Sequence, residues 1–565
     1  MPQLIKNDME QLRKLFIMPD SPDKFIEFGQ ELLDLIHNFF KEKGGIHSAI
    51  SLVDLAKIFS DTKIPENPKL LKNVLTEIKN KIIAHSVKVG SPYYVGHMTS
   101  AIPYFMILLE MIIATLNQNQ VKIESAKAST FVEKEFISWM HKLIFHKKES
   151  FYKKFIQDRE TSLGTVTLDG TMANLTAILV ARNKAFKPTK DFPGIRRSGL
   201  SEALRHYGYT RAVVLISKRA HYSFSKIARI IGIGSDNVIK IPTDLNNKMD
   251  LNELEKICQK INKANQSGIN KTKILAIVAI AGNTETGNID NLKEVRRIAK
   301  ENSAHYHVDA AWGGAILLAD DYRYLLKGIE QADSVTLDAH KLLYSPVSLG
   351  MVLFRKENDL KYLLHNANYI IRTDSVDLGR FTIEGSRSFS ILKPWATLKV
   401  FGRDGFRLLF EYAFELTSLF RGLVERHSNF EMINNPELFI INYRFIPKRI
   451  QEFLETTIIK KEKNFLGNIK KINNLLNELN IELHKDLREE DNSFVSRTMI
   501  DAPKYFYNNI VILRSILVNP LTTSDILKSI INKQNELGFK LYKNRFLKKF
   551  KAMIEMDSPK KYKKR

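Results

Sequence analysis

The sequence predicts an α/β fold: a largely parallel sheet with flanking helices, joined to smaller N- and C-terminal parts. Three observations carry this. From about residue 165, short β-branched runs alternate with helical runs. The first ninety or so residues read as helices, and the chain after about 390 is helical and mixed again. A length of 565 residues exceeds one ordinary core and suits a large domain with smaller ones attached. Strands alternating with helices build parallel sheets, whose ligands gather at the carboxyl ends of the strands.

Taken in order, residues 1–95 form a helical segment, with apolar positions at helical spacing in FIEFGQELLDLIHNFF. The most apolar stretch, AIPYFMILLEMIIATL at 101–116, is too short to span a membrane and is interrupted by Glu110, so it predicts a buried helix and no transmembrane segment. Residues 96–390 form the large domain. Its strands are AVVLIS (212–217), NVIKI (237–241), ILAIVAI (274–280), HYHVD (305–309), SVTL (334–337) and GMVLF (350–354). Between them lie helices such as NLKEVRRIAKEN, with Asp290 placed to cap its start. Residues 391–565 form a smaller α+β domain with a basic tail.

Composition bounds the function classes. Apolar residues make up 44% of the chain and charged ones 26%, the balance of a globular protein. The single cysteine, Cys258, excludes an internal disulfide and a cysteine-rich metal site, and fits a reducing cytoplasm. It lies in the helical run LNELEKICQKI, which predicts a plain buried side chain. MPQLIKNDMEQL lacks the apolar core of a signal peptide. The formal charge of +24 is mostly lysine, densest from Lys540 to the terminal KKYKKR. It leaves open a basic protein that binds nucleic acid or an anionic membrane. No zinc-finger or aromatic-basic RNA-binding spacing supports that alternative, so no nucleic-acid partner is expected.

Two motifs carry the chemistry. In HVDAAWGG (307–314) a strand delivers Asp309 at its carboxyl end, followed by small residues that let a planar group approach. A buried carboxylate needs a partner, which a protonated heterocyclic nitrogen supplies; an Asp capping the next segment is an equally good reading by itself. In SVTLDAHKLL (334–343) another strand ends at Asp338, Ala339, His340 and Lys341. A lysine in a partly apolar cleft is a nucleophile toward carbonyls. Asp309 and Lys341 can reach one ligand from neighbouring strand ends.

Together, HVDAAWGG and ADSVTLDAHK resemble the group II pyridoxal-dependent decarboxylases, over roughly residues 85–540. The resemblance implies fold type I, the aspartate-aminotransferase-like fold, and a homodimer with interfacial active sites, with residues 1–95 as the dimer-forming segment. It implies pyridoxal 5′-phosphate as cofactor, with Lys341 as its Schiff-base lysine, Asp309 on the ring nitrogen and Ala311 against one face. His221, in ISKRAHYSFSKIARIIG, matches the family's ring-stacking histidine. Gly170 and Thr171, in TLDGTMANLTAILVAR, take the phosphate-loop position, before a helix from about Met172 whose free N–H groups suit an anion. Asp169 stands where relatives often have glycine or serine, so only its backbone is expected to matter. His340 would also reach the phosphate. Thr284, in IAGNTETGNID, takes the position near the ring, and Asn283 replaces a more usual threonine.

For the substrate, the resemblance points to Arg514 in NIVILRSILVNPLTTSDI for the α-carboxylate, and to His97 in SPYYVGHMTS for a side-chain carboxylate. An arginine inside an apolar strand needs such a partner. GSPYYVGHMTS with AGNTETGNID looks closest to the bacterial aspartate 1-decarboxylase branch, whose product, β-alanine, supplies pantothenate and coenzyme A. Glutamate decarboxylation to 4-aminobutyrate and another fold-type-I reaction stay open. In several relatives a loop tyrosine reprotonates the substrate carbon. The corresponding stretch here, 370–387, holds none; Tyr369 just precedes it.

Overall fold

The computed structural model describes residues 9–556 apart from 11, 43, 44, 49, 365–374, 462–464, 491 and 492. Tyr369, the start of the 370–387 stretch and the terminal KKYKKR lie outside the described residues.

Seven strands form the large sheet: β1 (Gly164–Thr167), β2 (Arg211–Ser217), β3 (Val238–Ile241), β4 (Thr272–Ile280), β5 (His305–Asp309), β6 (Ser334–Asp338) and β7 (Gly350–Phe354). Their order is β1-β7-β6-β5-β4-β2-β3. The run from β3 to β6 is parallel, and β7 runs antiparallel to both β6 and β1. All residues of β5, β6 and β7 are buried, because helices cover both faces. The Gly170–Ala185 helix lies against β4, β6 and β7, and the Leu292–Glu301 helix against β4 and β5. β1 carries no sequence signal of its own, since GTVT is too short to show a period.

A second, antiparallel sheet contains β8 (Phe430–Met432), β9 (Ile440–Phe445), β10 (Ser496–Ala502) and β11 (Tyr507–Ile516), in the order β10-β11-β9-β8. The Phe465–Glu489 and Ser524–Leu541 helices back it. The Leu392–Arg426 helix, kinked at Gly402 where φ is 60°, ties the two sheets together. Its Phe406 and Phe410 enter the core of the large sheet, while Leu416, Phe420 and Val424 enter that of the small one.

Two expectations are corrected. Asp290 does not cap the Leu292–Glu301 helix. Asn291 does, accepting from the Glu294 N–H at 3.3 Å. Asp290 is instead buried and accepts from the N–H groups of Met249 (2.7 Å) and Ile280 (2.8 Å). Burial pushes its carboxyl up to about 6. Two buried donors, one at the end of β4 and one just before the Leu251–Gln266 helix, need an acceptor, and that need outweighs a cap that the next residue can supply. The helix within 101–116, Tyr104–Leu116, is also not buried in the single chain: only Met106 and Ile113 are, while Leu108, Met111, Ile112 and Leu116 are exposed. It rests with one side on the Leu392–Arg426 helix, where Phe105 meets Phe401 edge-on and Glu110 pairs with the buried Lys393.

Asp290→Ala should therefore destabilise by about 2 kcal/mol or more, since two buried N–H groups lose their acceptor. Asn291→Ala should cost about 1 kcal/mol, the worth of a cap. Melting temperatures of the two variants, measured side by side, check this order.

Candidate active site

The parallel register sets Asp309 of β5 opposite Thr336 of β6, so both strands end at the same edge of the sheet. Beyond β6 the chain turns through Ala339 and His340, with Ala339 donating to the Leu349 carbonyl at 2.9 Å, and presents Lys341 above that edge. Lys341 Nζ lies 2.9 Å from Asp338 Oδ2. Asp309 Oδ2 accepts from Asn174 Nδ2 at 2.9 Å, and its Oδ1 from the Ala311 N–H at 3.2 Å. Gly170, Thr171, His221, Thr284, Asp309, Ala311, His340 and Lys341 all line one cleft of about 220 Å³.

The floor of one end is the turn before the Gly170–Ala185 helix. Here the structure corrects the expectation for Asp169. Its side chain caps the helix, Oδ1 accepting from the Met172 N–H at 2.9 Å, and the helix starts at Gly170 rather than about Met172. A short carboxylate side chain at this position satisfies a donor that glycine would leave open. A Cβ on Gly170 would sit 2.8 Å from Asp338 Oδ2, so the turn must pass without a side chain. The result is a helix N-terminus opening onto the cleft, with N–H groups of the kind that suit an anion.

His221 follows β2, its Nδ1 2.9 Å from Ser223 Oγ and its ring against Tyr222. Desolvation holds its imidazole below the usual histidine range, against the pull of Asp309. Thr284 is exposed at the mouth. Asn283 organises that loop: its Oδ1 accepts from the Thr286 N–H at 2.7 Å and from Thr286 Oγ1 at 3.0 Å. Amide chemistry thus serves the turn where relatives carry threonine. His340 Nδ1 is held 2.9 Å from the Leu349 carbonyl.

Arg514 and His97 do not line this cleft but stand beside it. Arg514, on β11, is buried; its Nη1 donates to Ser496 Oγ at 3.1 Å and to the Gly96 carbonyl at 3.4 Å. Burial lowers its guanidinium to about 10, partly offset by Glu285. His97 sits at the exposed rim, its Nδ1 3.0 Å from Thr99 Oγ1. Partial desolvation, then the charges of Arg514, Lys341 and His340, hold it below the usual histidine range. The 91–97 segment is clamped by the Asn519–Pro520 turn: Asn519 Nδ2 donates to the Ser91 carbonyl at 2.7 Å, and Tyr94 stacks on Phe494.

Sequence reasoning missed four groups here. Asp338 was read only as a strand end. Asn174 looked like any polar helix residue. Arg219 lies two residues before His221 and lines the cleft; it is buried, with Nε and Nη2 lacking hydrogen-bond partners among the described residues and Nη2 3.7 Å from Asp501. Glu285 feels both arginines: burial raises its carboxyl, and Arg219 and then Arg514 lower it. The one signal for these groups was adjacency to a motif residue, for Arg219 and Glu285.

An amine at one strand end, a half-satisfied carboxylate at the next, an imidazole after a third and a helix N-terminus for an anion define a cofactor-dependent enzyme of the pyridoxal-phosphate type. Residues 55–446 match the pyridoxal-dependent decarboxylase conserved domain, and the chain belongs to that family. It is 39% identical over 529 residues to the aspartate 1-decarboxylase of Aliivibrio fischeri, covering 94% of each chain. It is 28% identical over 388 residues to a human acidic amino acid decarboxylase, covering 67% of this chain and 68% of that one. The fold matches the crystal structure of Oryza sativa TDC with PLP and tryptamine at a TM-score of 0.76 and 18% identity, over 93% of this chain and 99% of that one. The cofactor is pyridoxal 5′-phosphate, and the described residues fit it: the Gly170 turn for its phosphate, Asp309 for its ring nitrogen, Lys341 for its aldehyde.

Gly96 tests the clamp that seats Arg514. A Cβ there would lie 2.6 Å from the Ser496 N and 2.7 Å from the Val495 carbonyl carbon, both backbone. Gly96→Ala should lower the melting temperature and raise the substrate KM together; unchanged values of both would show that the crossing is looser than described.

Proposed function

We propose that this enzyme removes the α-carboxylate of L-aspartate, giving β-alanine and carbon dioxide. The observation that carries the substrate is the 39% identity to the aspartate 1-decarboxylase of Aliivibrio fischeri over 94% of both chains. The surroundings of the cleft support a dicarboxylate: Arg219 lines it with Lys341, and Arg514 and His97 stand close enough for their charges to act on one another.

In this reading the chain's residues divide the work as follows. Lys341 holds the cofactor covalently. The Gly170 and Thr171 turn, with His340, holds its phosphate. His221 and Ala311 would flank its ring, Thr284 would stand beside it, and Asp309 would accept from its ring nitrogen. Bound there, pyridoxal phosphate supplies an electron sink for the pair left when the bond from Cα to the carboxylate breaks. Arg514 would bind the α-carboxylate and so fix the direction of the bond to be broken, an orientation effect. His97 donates to the side-chain carboxylate. A proton then reaches Cα.

We also infer a homodimer. Its support is the apolar surface that the single chain leaves open: the Phe25–Lys41 helix buries no residue, and the Tyr104–Leu116 helix exposes most of its apolar side chains. Among the described residues no helix is long and apolar enough to cross a membrane. A cytoplasmic location is supported by the one free cysteine, Cys258, buried with its thiol pushed up to about 11.

Purified protein with pyridoxal phosphate should convert L-aspartate to β-alanine with one carbon dioxide and no keto acid, and L-glutamate far more slowly. Predominant 4-aminobutyrate would reassign the substrate, and keto acid would reassign the reaction. Arg514→Lys should lower kcat/KM for aspartate about tenfold to a hundredfold, the worth of a charge-assisted bidentate contact.

A further inference from the structure

Behind Asp309, running inward from Asn174 at the cleft wall, lies a chain of buried polar groups that none of the roles above uses. Asn174 sits one turn into the Gly170–Ala185 helix, with Oδ1 2.9 Å from His307 Nε2. His307, on β5 two residues before Asp309, has Nδ1 2.8 Å from Ser334 Oγ on β6. His305 Nε2 reaches the same Ser334 Oγ at 2.7 Å. His307 and Ser334 are fully buried, and Asn174 is 2% exposed. Burial holds His307 down to about 3 and His305 to about 4, so both rings are neutral near pH 7.

The donors and acceptors admit one order, working outward from Asp309. A carboxylate only accepts, so Asn174 must turn its NH₂ toward Asp309 and its carbonyl toward His307. That carbonyl needs a donor, so the His307 proton is on Nε2 and Nδ1 is bare. Bare Nδ1 takes the Ser334 hydroxyl proton, and Ser334 Oγ accepts from His305 Nε2–H. Thr336 Oγ1, at 3.5 Å from His307 Nε2, is too distant to compete with Asn174. Phe224 closes the ring edge of His307 with no polar atom.

We propose that Asn174, His307 and Ser334 are positioning residues for the reaction, a one-directional hydrogen-bond relay that fixes the Asp309 carboxylate and keeps its remaining lone pair turned toward the cofactor's ring nitrogen. The proposal rests on the reading that Asp309 faces that nitrogen. The Ala311 N–H holds the other oxygen, so both ends of the carboxylate are set before the cofactor enters. A His307 proton on Nδ1 instead would force the Asn174 amide to flip and set its carbonyl against Asp309, two acceptors at hydrogen-bond distance.

Two measurements test this. A neutron crystal structure of the deuterated holoenzyme should show deuterium on His307 Nε2, none on its Nδ1, and the Asn174 amide deuterons toward Asp309. Deuterium on Nδ1 overturns the relay while leaving Asp309 at the ring nitrogen untouched. A map with Asp309 away from the ring nitrogen fails the underlying reading first, and the relay with it. In solution, His307→Leu should lower kcat at least tenfold with the substrate KM within about twofold, and should weaken pyridoxal phosphate binding by the apoprotein. His307→Gln, which can still donate to Asn174, should restore most of both. A folded His307→Leu enzyme with unchanged kcat and cofactor affinity would overturn the proposal. Should that variant not fold, the neutron map of the unsubstituted enzyme still decides.

Discussion

The parallel pairing of β5 with β6 is the constraint on which the site depends. In that register Asp309 lies opposite Thr336. Side chains alternate along strands, so His305, His307 and Asp309 share one face of β5, and Ser334, Thr336 and Asp338 share the matching face of β6. The opposite face carries Tyr306, Val308, Val335 and Leu337, each fully buried in the core. A slip of either strand by one residue would exchange its two faces, moving its three polar side chains into apolar packing and its apolar ones under the cleft. The contrast in polarity between the faces therefore fixes the register. The register in turn brings the Lys341 amine and the Asp309 carboxylate to one cleft.

The Gly170–Ala185 helix is the second partner in this arrangement. It crosses the polar face with its N-terminus at the cleft, where the Asp169 cap and the side-chain-free Gly170 leave N–H groups for an anion. One turn later its Asn174 reaches Asp309. A single rigid element thus sets both the N–H groups at one end of the cleft and the Asp309 carboxylate. Burying so many polar groups is costly unless each is satisfied, and on this face nearly every one has a partner. Asp338 Oδ1 has no hydrogen-bond partner among the described residues, although its other oxygen pairs with Lys341.

Much of the fold was legible because its strands are short β-branched runs separated by helical periods. β5 and β7 match their sequence runs residue for residue, and β2, β3, β4 and β6 differ by one or two residues at an end. Lys341 and Asp309 were legible as chemistry because each stands at a strand end inside a motif. What escaped the sequence depended on partners distant along the chain. Nothing in Asn174 reveals that His307 lies behind it, and nothing in Asp290 reveals that Met249 and Ile280 bring it two donors. Asp169 was misread because its position was judged by what relatives carry, whereas a carboxylate before a helix is a cap in its own right. The 101–116 stretch shows another limit. Hydrophobicity predicts that a helix will be covered, but not that its own chain does the covering.

The central claim is that Lys341 is the residue to which the cofactor is bound. The direct measurement is reduction of the holoenzyme with borohydride, followed by proteolysis and mass spectrometry. The account predicts a pyridoxyl group on the peptide containing Asp338, His340 and Lys341, with fragmentation placing it on Lys341. A pyridoxyl group on any other lysine, or none on a protein that shows the bound cofactor's visible absorbance, would contradict it.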